Sequence, residues 1–341
     1  MPLSHPEDFA RLGIVQMFKP TSRNGPVCEL DWKLPSAPPT IPVFRTFGLR
    51  EFANHAFPRR DFVLSPILPS RGLAMLYAQR GVGKTHVGLG IAYAVAAGSK
   101  FLRWSAPSPR KVLHVDGEMP GEALQERLNA IICASDVPPV HDEYLRFLPM
   151  DAQEVGASMN LASSRDQAAI ENFLDGVELL VLDNLSTLVN GGRENDAESW
   201  NAMQEWLLRL RRKGLSVLLI HHAGRGENAR GTSKREDVLD TVIQLKRPAD
   251  YQVEEGARFE VHLTKCRGVV GDDAAPFEAR METRDGGAWW TLRDMRDVQA
   301  ERVRAMTRDK MSVREIAEEL GISKSTVNRI QNRLRELGEV S

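Results

Sequence analysis

The chain alternates between strand-length apolar runs and helix-length segments from about residue 73 to residue 220. Leu73 to Tyr77, Val112 to Val115, Leu179 to Leu182 and Ser216 to Ile220 are short and almost wholly apolar, broken only by His114 and Ser216, as parallel strands buried on both faces are. Between them lie segments with helical signals. Residues 84–97 are rich in Ala, Leu and Val, which predicts a buried helix. Pro120 starts a helix that runs to about Cys133. Gln167 to Leu174 reads as helix, and Ala197 to Arg212 is a helix whose Trp200, Met203, Trp206, Leu207 and Leu210 form a core stripe ending at Gly214. A further short strand is expected at Tyr144 to Leu148, and antiparallel strands at Val238 to Leu245 and Phe259 to Thr264. This alternation predicts an α/β core with a mainly parallel sheet flanked by helices.

The pattern changes at both ends. Residues 1–45 hold Pro2, Pro6, Pro20, Pro26, Pro35, Pro38, Pro39 and Pro42 with little periodicity, so an extended arm is expected there. From Gln299 the chain reads as three helices: Ala300 to about Lys310, a second opened by the capping box Ser312-Val313-Arg314-Glu315, and a third capped by Ser323 and ended by Gly338. Ile316, Ala317, Leu320, Ile322, Val327, Ile330 and Leu334 would share one small core, the spacing of a helix-turn-helix. The expected domains are an arm over 1–45, a nucleotide-binding domain over 46–298 and a DNA-binding domain over 299–341.

Composition narrows the partners. Lys+Arg 45 against Asp+Glu 46 leaves no global basic excess, so contact with nucleic acid must come from local patches. Cys28, Cys133 and Cys266 lie far apart and form neither a metal nor a disulfide pattern. No apolar run approaches the ~20 residues of a membrane span, and a cytoplasmic location is expected.

The chemistry begins at Ala78-Gln79-Arg80-Gly81-Val82-Gly83-Lys84-Thr85, followed by His86. This is a phosphate-binding loop with Ala78 at the first glycine position. Gly81 and Gly83 let successive N–H groups turn inward onto an anion, which the next helix meets with its positive end. Lys84 would reach the β- and γ-phosphates of ATP, and the Thr85 hydroxyl would ligate Mg²⁺. Asp183, an acid ending a buried strand, is expected on the metal side. Glu118, beyond the strand ending Val115-Asp116, is the expected general base, with Asp116 as the second choice. His221 or His222, at a strand tip, could sense the γ-phosphate. Lys265 and Arg267, just past a strand, could neutralise charge in a neighbouring subunit's site.

Two basic features suit DNA. Arg225, Arg230, Lys234 and Arg235 lie in a glycine-rich loop that could grip a phosphate backbone. In the last helix Lys324, Ser325, Thr326, Asn328, Arg329 and Arg333 fall on the outer face or at the helix N-terminus; Ser323 to Leu337 carries four basic residues and one acidic, net +3. The bland alternatives are a solvated loop and a protein-docking module.

Together AQRGVGKT (78–85), VDGEMP (115–120), LLVLD (179–183), LLIHH with ARGTS behind it (218–233) and LTKCRG (263–268) resemble the RecA-like hexameric helicase ATPases, most closely the plasmid-type RepA replicative helicases. The resemblance covers about residues 55–295. It implies a RecA-like P-loop core and a homo-oligomeric ring, expected to be a hexamer. It further implies Mg²⁺-ATP hydrolysis coupled to movement on single-stranded DNA, while the helix-turn-helix, which extends beyond a minimal helicase core, is the expected contact with double-stranded DNA. It gives Glu118 as the base, Asp183 as the Walker B acid, His221 and His222 as the histidine-ended strand, and Lys265 and Arg267 as groups acting across subunits. An ATP-switched regulator or loader that assembles on DNA without unwinding it is the alternative.

Overall fold

The structure is a computed structural model that describes residues 44–189, 197–223 and 236–339. Contacts divide the chain into Met1–Phe57 and Pro58–Ser341. In the first unit the described part is a helix, Leu49–Asn54, whose Phe52 packs with Phe47 and Phe57, while His55 packs with both of those rings, at centroid distances of 4.5–5.9 Å. The arm expected over 1–45 falls almost wholly outside the described residues.

The second unit is built on a nine-stranded sheet. Its strands are β1 (Leu73–Ala78), β2 (Val112–Asp116), β3 (Leu145–Pro149), β4 (Leu179–Asp183), β5 (Ser216–His222), β6 (Thr241–Lys246), β7 (Arg258–Cys266), β8 (Phe277–Arg284) and β9 (Gly287–Asp294). They are ordered β9-β8-β7-β6-β1-β5-β4-β2-β3. The six strands from β6 to β3 pair in parallel, and β7, β8 and β9 add to the β6 edge antiparallel. The expected α/β core with a mainly parallel sheet is therefore observed.

Strand alternation divides the core. Leu76, Val181 and Ile220 face α1 (Lys84–Ala97), packing with Val87, Ile91 and Val95. Met75, Leu180 and Leu219 face the other side, against Ile170 of α3 (Ser164–Glu171) and Met203, Trp206 and Leu210 of α4 (Ala197–Lys213). α1 is apolar on nearly every side because sheet and loops enclose it. Helix α2 (Gly121–Cys133) begins right after Pro120, as expected.

The β8–β9 hairpin is absent from the sequence reading. Its signal was the turn Asp285-Gly286, where both residues hold positive φ (52° and 77°), the Asp-Gly arrangement of a two-residue hairpin. β9 then runs directly into α5 (Met295–Arg308), which starts five residues before the expected Ala300, so the expected boundary at 298/299 falls inside a helix. The remaining helices, α6 (Val313–Glu319) and α7 (Lys324–Glu336), follow the predicted capping. Ser312 Oγ accepts from the Glu315 amide, and Glu315 Oε2 accepts from the Ser312 amide at 2.7 Å. Ser323 Oγ accepts from the Thr326 amide. Ile316, Ala317, Val327 and Leu334 join Val303 in a small core, with Leu320, Ile322 and Ile330 packed at its margin. The helix-turn-helix is as read.

Candidate functional site

Parallel pairing brings the carboxyl ends of β1, β2, β4 and β5 to one edge, and alternation turns Ala78, Asp116, Asp183 and His222 to the α1 face. The loop Ala78–Thr85 closes over this edge and enters α1 through Gly83. Gly81 and Gly83 have φ of 75° and 124°, which no ordinary side chain adopts without strain. A Cβ on Gly83 would also sit 3.0 Å from the Phe259 ring of β7. Arg247, one residue beyond β6, donates to Gly81 O at 3.1 Å and lies 4.2 Å from the Tyr251 ring centre. Sequence gave no signal for Arg247.

Lys84 is 5% exposed, and its Nζ donates to Ala78 O at 3.0 Å and Gln79 O at 2.8 Å. Burial pushes its ammonium down to about 8, opposed by Asp183 and Glu118. Arg80 and Gln79 are exposed, and Val82 is buried. His86 approaches Arg127 of α2. Burial pushes its imidazole down to about 4, so it is neutral near pH 7 and brings no charge to the loop.

Asp183 is buried at the tip of β4. Burial first, then the charge of Asp116, pushes its carboxyl up to about 7, while the Thr85 hydroxyl hydrogen-bonds it and pulls the other way. Among the described residues its Oδ2 has no hydrogen-bond partner, and neither has Asp116 Oδ2. A buried, unsatisfied carboxylate oxygen is costly unless a cation completes it. With Thr85 alongside, Asp183 fits Mg²⁺, an ion held by one or two carboxylates together with substrate phosphates. Among the described residues no group of three or more His, Cys, Asp or Glu side chains forms a metal cage.

Asp116 does something else. Its Oδ1 accepts from the Glu118 and Met119 amides at 3.0 and 2.7 Å, folding the chain back at the end of β2. Gly117 donates to Asp183 O at 2.7 Å, and a Cβ there would lie 2.6 Å from Thr187 Oγ1 and 2.7 Å from Leu188 Cδ2. This tight turn projects Glu118, half-exposed, toward β4 and β5. Glu118 Oε2 lies 3.1 Å from His222 Nε2 and accepts from Asn184 Nδ2, which is itself 3.1 Å from His222 Nε2. Of the two histidines only His222 reaches the site; burial lowers its imidazole, with Lys84 adding to the effect. His221 is buried and points to the opposite face with Tyr77. Asn184 escaped sequence reading, although an Asn just before a helical turn (Leu185–Leu188) is a cap signal.

Lys265 and Arg267 are not near their own chain's loop. β7 runs antiparallel to β6, so Cys266 pairs with Thr241, level with Ala74 at the start of β1. The two cations therefore stand at the amino edge, where Lys265 Nζ donates to Glu236 O and Arg267 Nη2 to Asp237 O at 3.1 Å. Arg225, Arg230, Lys234 and Arg235 lie outside the described residues. On α7, Lys324, Ser325, Asn328, Arg329 and Arg333 are exposed and Thr326 partly so, a continuous polar face opposite Val327 and Leu334. No helix among the described residues is long and apolar enough to cross a membrane.

Residues 42–228 match the family model described as an AAA domain, and residues 301–340 that of a homeodomain-like domain. Among solved structures, the chain is similar to the flagellar accessory protein FlaH from Methanocaldococcus jannaschii, at 10% identity and a TM-score of 0.46, over 65% of this chain and 90% of that one. A search of the curated proteins gives no match.

Proposed function

This chain belongs to the AAA-domain family, and from that premise we propose that it is a Mg²⁺-dependent, DNA-stimulated ATPase working as a homo-oligomeric ring, a hexamer. Its role would be that of a RepA-type helicase or translocase in plasmid, phage or mobile-element replication. The observation that carries the ATPase reading is the meeting of Lys84, Asp183 and Glu118 at one strand edge beside a loop with inward-turned glycines.

The loop amides and the start of α1 would cradle the phosphates, and Lys84 would exchange its two carbonyl partners for phosphate oxygens. Thr85 and Asp183 would hold Mg²⁺, which when bound neutralises charge on the β- and γ-phosphates. Glu118 would take the proton of the attacking water, while His222, in contact with the same carboxylate, would register loss of the γ-phosphate. Lys265 and Arg267, on the sheet edge away from their own loop, would serve the next subunit's nucleotide. The arginine-bearing face of α7 and the loop containing Arg225, Arg230, Lys234 and Arg235 would contact DNA phosphates.

A second reading, an ATP-switched DNA-binding regulator or loader, draws support from one contact. Arg302 of α5 pairs with Asp250 at 2.8 Å and with Glu260 and Glu278 at 3.2 Å, tying the helix-turn-helix to the ATPase sheet. The two are separated by measuring mass and ATP turnover with and without single-stranded DNA, together with fork unwinding. Unwinding at substoichiometric protein is expected; tight duplex binding with slow, uncoupled hydrolysis would select the regulator. Arg267→Ala should lose turnover and regain part of it when mixed with Lys84→Ala protein; no rescue in the mixture refutes action across subunits.

A further inference from the structure

We infer that Asn184 is the positioning residue for Glu118, holding the carboxylate at the site through its side-chain amide. The inference rests on Glu118 being the general base. Asn184 is 1% exposed, so its polar atoms must find partners inside the protein. Its Oδ1 accepts from the Ser186 amide at 2.9 Å, capping the Leu185–Leu188 turn. A backbone N–H can only donate, so the oxygen end of the amide is committed to the turn. The nitrogen end must therefore face the other way, toward Glu118 Oε2 and His222 Nε2.

The backbone of Asn184 is held as firmly. Its carbonyl accepts from Thr187 Oγ1 at 3.0 Å and from the Leu188 amide at 3.1 Å. The donor aimed at Glu118 thus stands on the residue after Asp183, in a turn pinned at three points. Glu118 itself sits on a flexible stem at the lip of the site, half-exposed, with Asp116, Asp183, Lys84 and His222 around it. Without a fixed donor its carboxylate would sample several rotamers, and a general base must sit within hydrogen-bond reach of the proton it takes. One amide hydrogen of Asn184 selects one of them. His222 Nε2 lies 3.1 Å from both the Asn184 amide nitrogen and Glu118 Oε2, and in one tautomer it donates to the carboxylate while in the other it accepts from the amide.

The test separates this role from capping. Asn184→Asp keeps an oxygen for the Ser186 amide but replaces the donor facing Glu118 with a like charge. That buried charge beside Asp183 should lower the melting temperature, and kcat should fall about 10-fold or more. Asn184→Ser, which also keeps a capping oxygen and removes the amide without adding charge, should hold melting temperature and nucleotide Kd near wild type and KM within about twofold, with kcat again down about 10-fold or more. In a Glu118→Gln background neither change should reduce kcat much further, because the residue acts through Glu118. Wild-type kcat in Asn184→Asp or Asn184→Ser, alongside an inactive Glu118→Gln, overturns the positioning role. Wild-type turnover by Glu118→Gln would instead overturn the base assignment, and the role of Asn184 with it.

Discussion

At the carboxyl edge of the parallel strands Asp183 and Lys84 are buried with no ion pair among the described residues, whereas between the antiparallel strands and α5 the buried Glu260 and Glu278 and the half-exposed Asp250 are paired several times over. In the first cluster burial wins: the Asp183 carboxyl is pushed up to about 7 and the Lys84 ammonium down to about 8, each toward its neutral form. In the second, pairing wins. Burial alone would raise Asp250 and Glu260. Arg302 and Arg258 beside Asp250, and His262 and Arg302 beside Glu260, instead hold both carboxyls below their usual range. Glu278, 3% exposed, is shared by Arg258 at 2.8 Å and Arg302 at 3.2 Å. Burial that is uncompensated in one place and outweighed by pairing in the other distinguishes a site waiting for a ligand from a cluster that holds the fold together.

That contrast can be broken at either end. Lys84→Ala should abolish ATP turnover, a loss of more than about 10²-fold, while leaving the melting temperature near wild type; calorimetric titration with nucleotide and a steady-state assay check it, and normal turnover refutes the site. Arg302→Met should do the reverse. It removes one charged partner from each of Glu260 and Glu278, which keep His262 at 3.0 Å and Arg258 at 2.8 Å, a loss of about 1.5–3 kcal/mol, which should lower Tm by several degrees with nucleotide binding kept. Unchanged melting would mean the cluster is ornamental.

Asp183→Asn should sharpen the difference. Removing a buried carboxylate with an unpartnered oxygen should raise the Tm of the nucleotide-free protein by a few degrees at neutral pH, equivalent to about 1–2 kcal/mol, and eliminate hydrolysis. A lower Tm would show that its charge stabilises the empty fold. The smallest effect concerns pH. Because the folded Asp250 and Glu260 carboxyls lie below their unfolded values, their contribution is complete above the ordinary carboxylate range and fades as pH falls through it. The Tm difference between wild type and Arg302→Met should therefore shrink on going from neutral pH to below about pH 4, as thermal melts would record.

The phosphate loop, the acids at the ends of β2 and β4 and the helix-turn-helix core were legible because each is a local pattern: glycines at fixed spacing, an apolar run ending in an acid, a capping box before an amphipathic helix. Asp116 as an alternative base was legible only as an acid near a strand tip. The fold assigns its Oδ1 to the Glu118 and Met119 amides and leaves Glu118 as the projecting group. The two histidines looked equal in sequence, and strand alternation separates them, turning His222 to Glu118 and His221 to the opposite core.

Local patterning determined the elements, their faces and the loop chemistry, since a period of two or 3.6 and a glycine's freedom are properties of neighbouring residues. Tertiary structure alone decided which side chains from distant segments meet: Asn184 with Glu118, Arg247 with Gly81, Arg302 with Asp250, Glu260 and Glu278. Those meetings depend on the order and register of nine strands, and no stretch of sequence carries the register of a strand a hundred residues away.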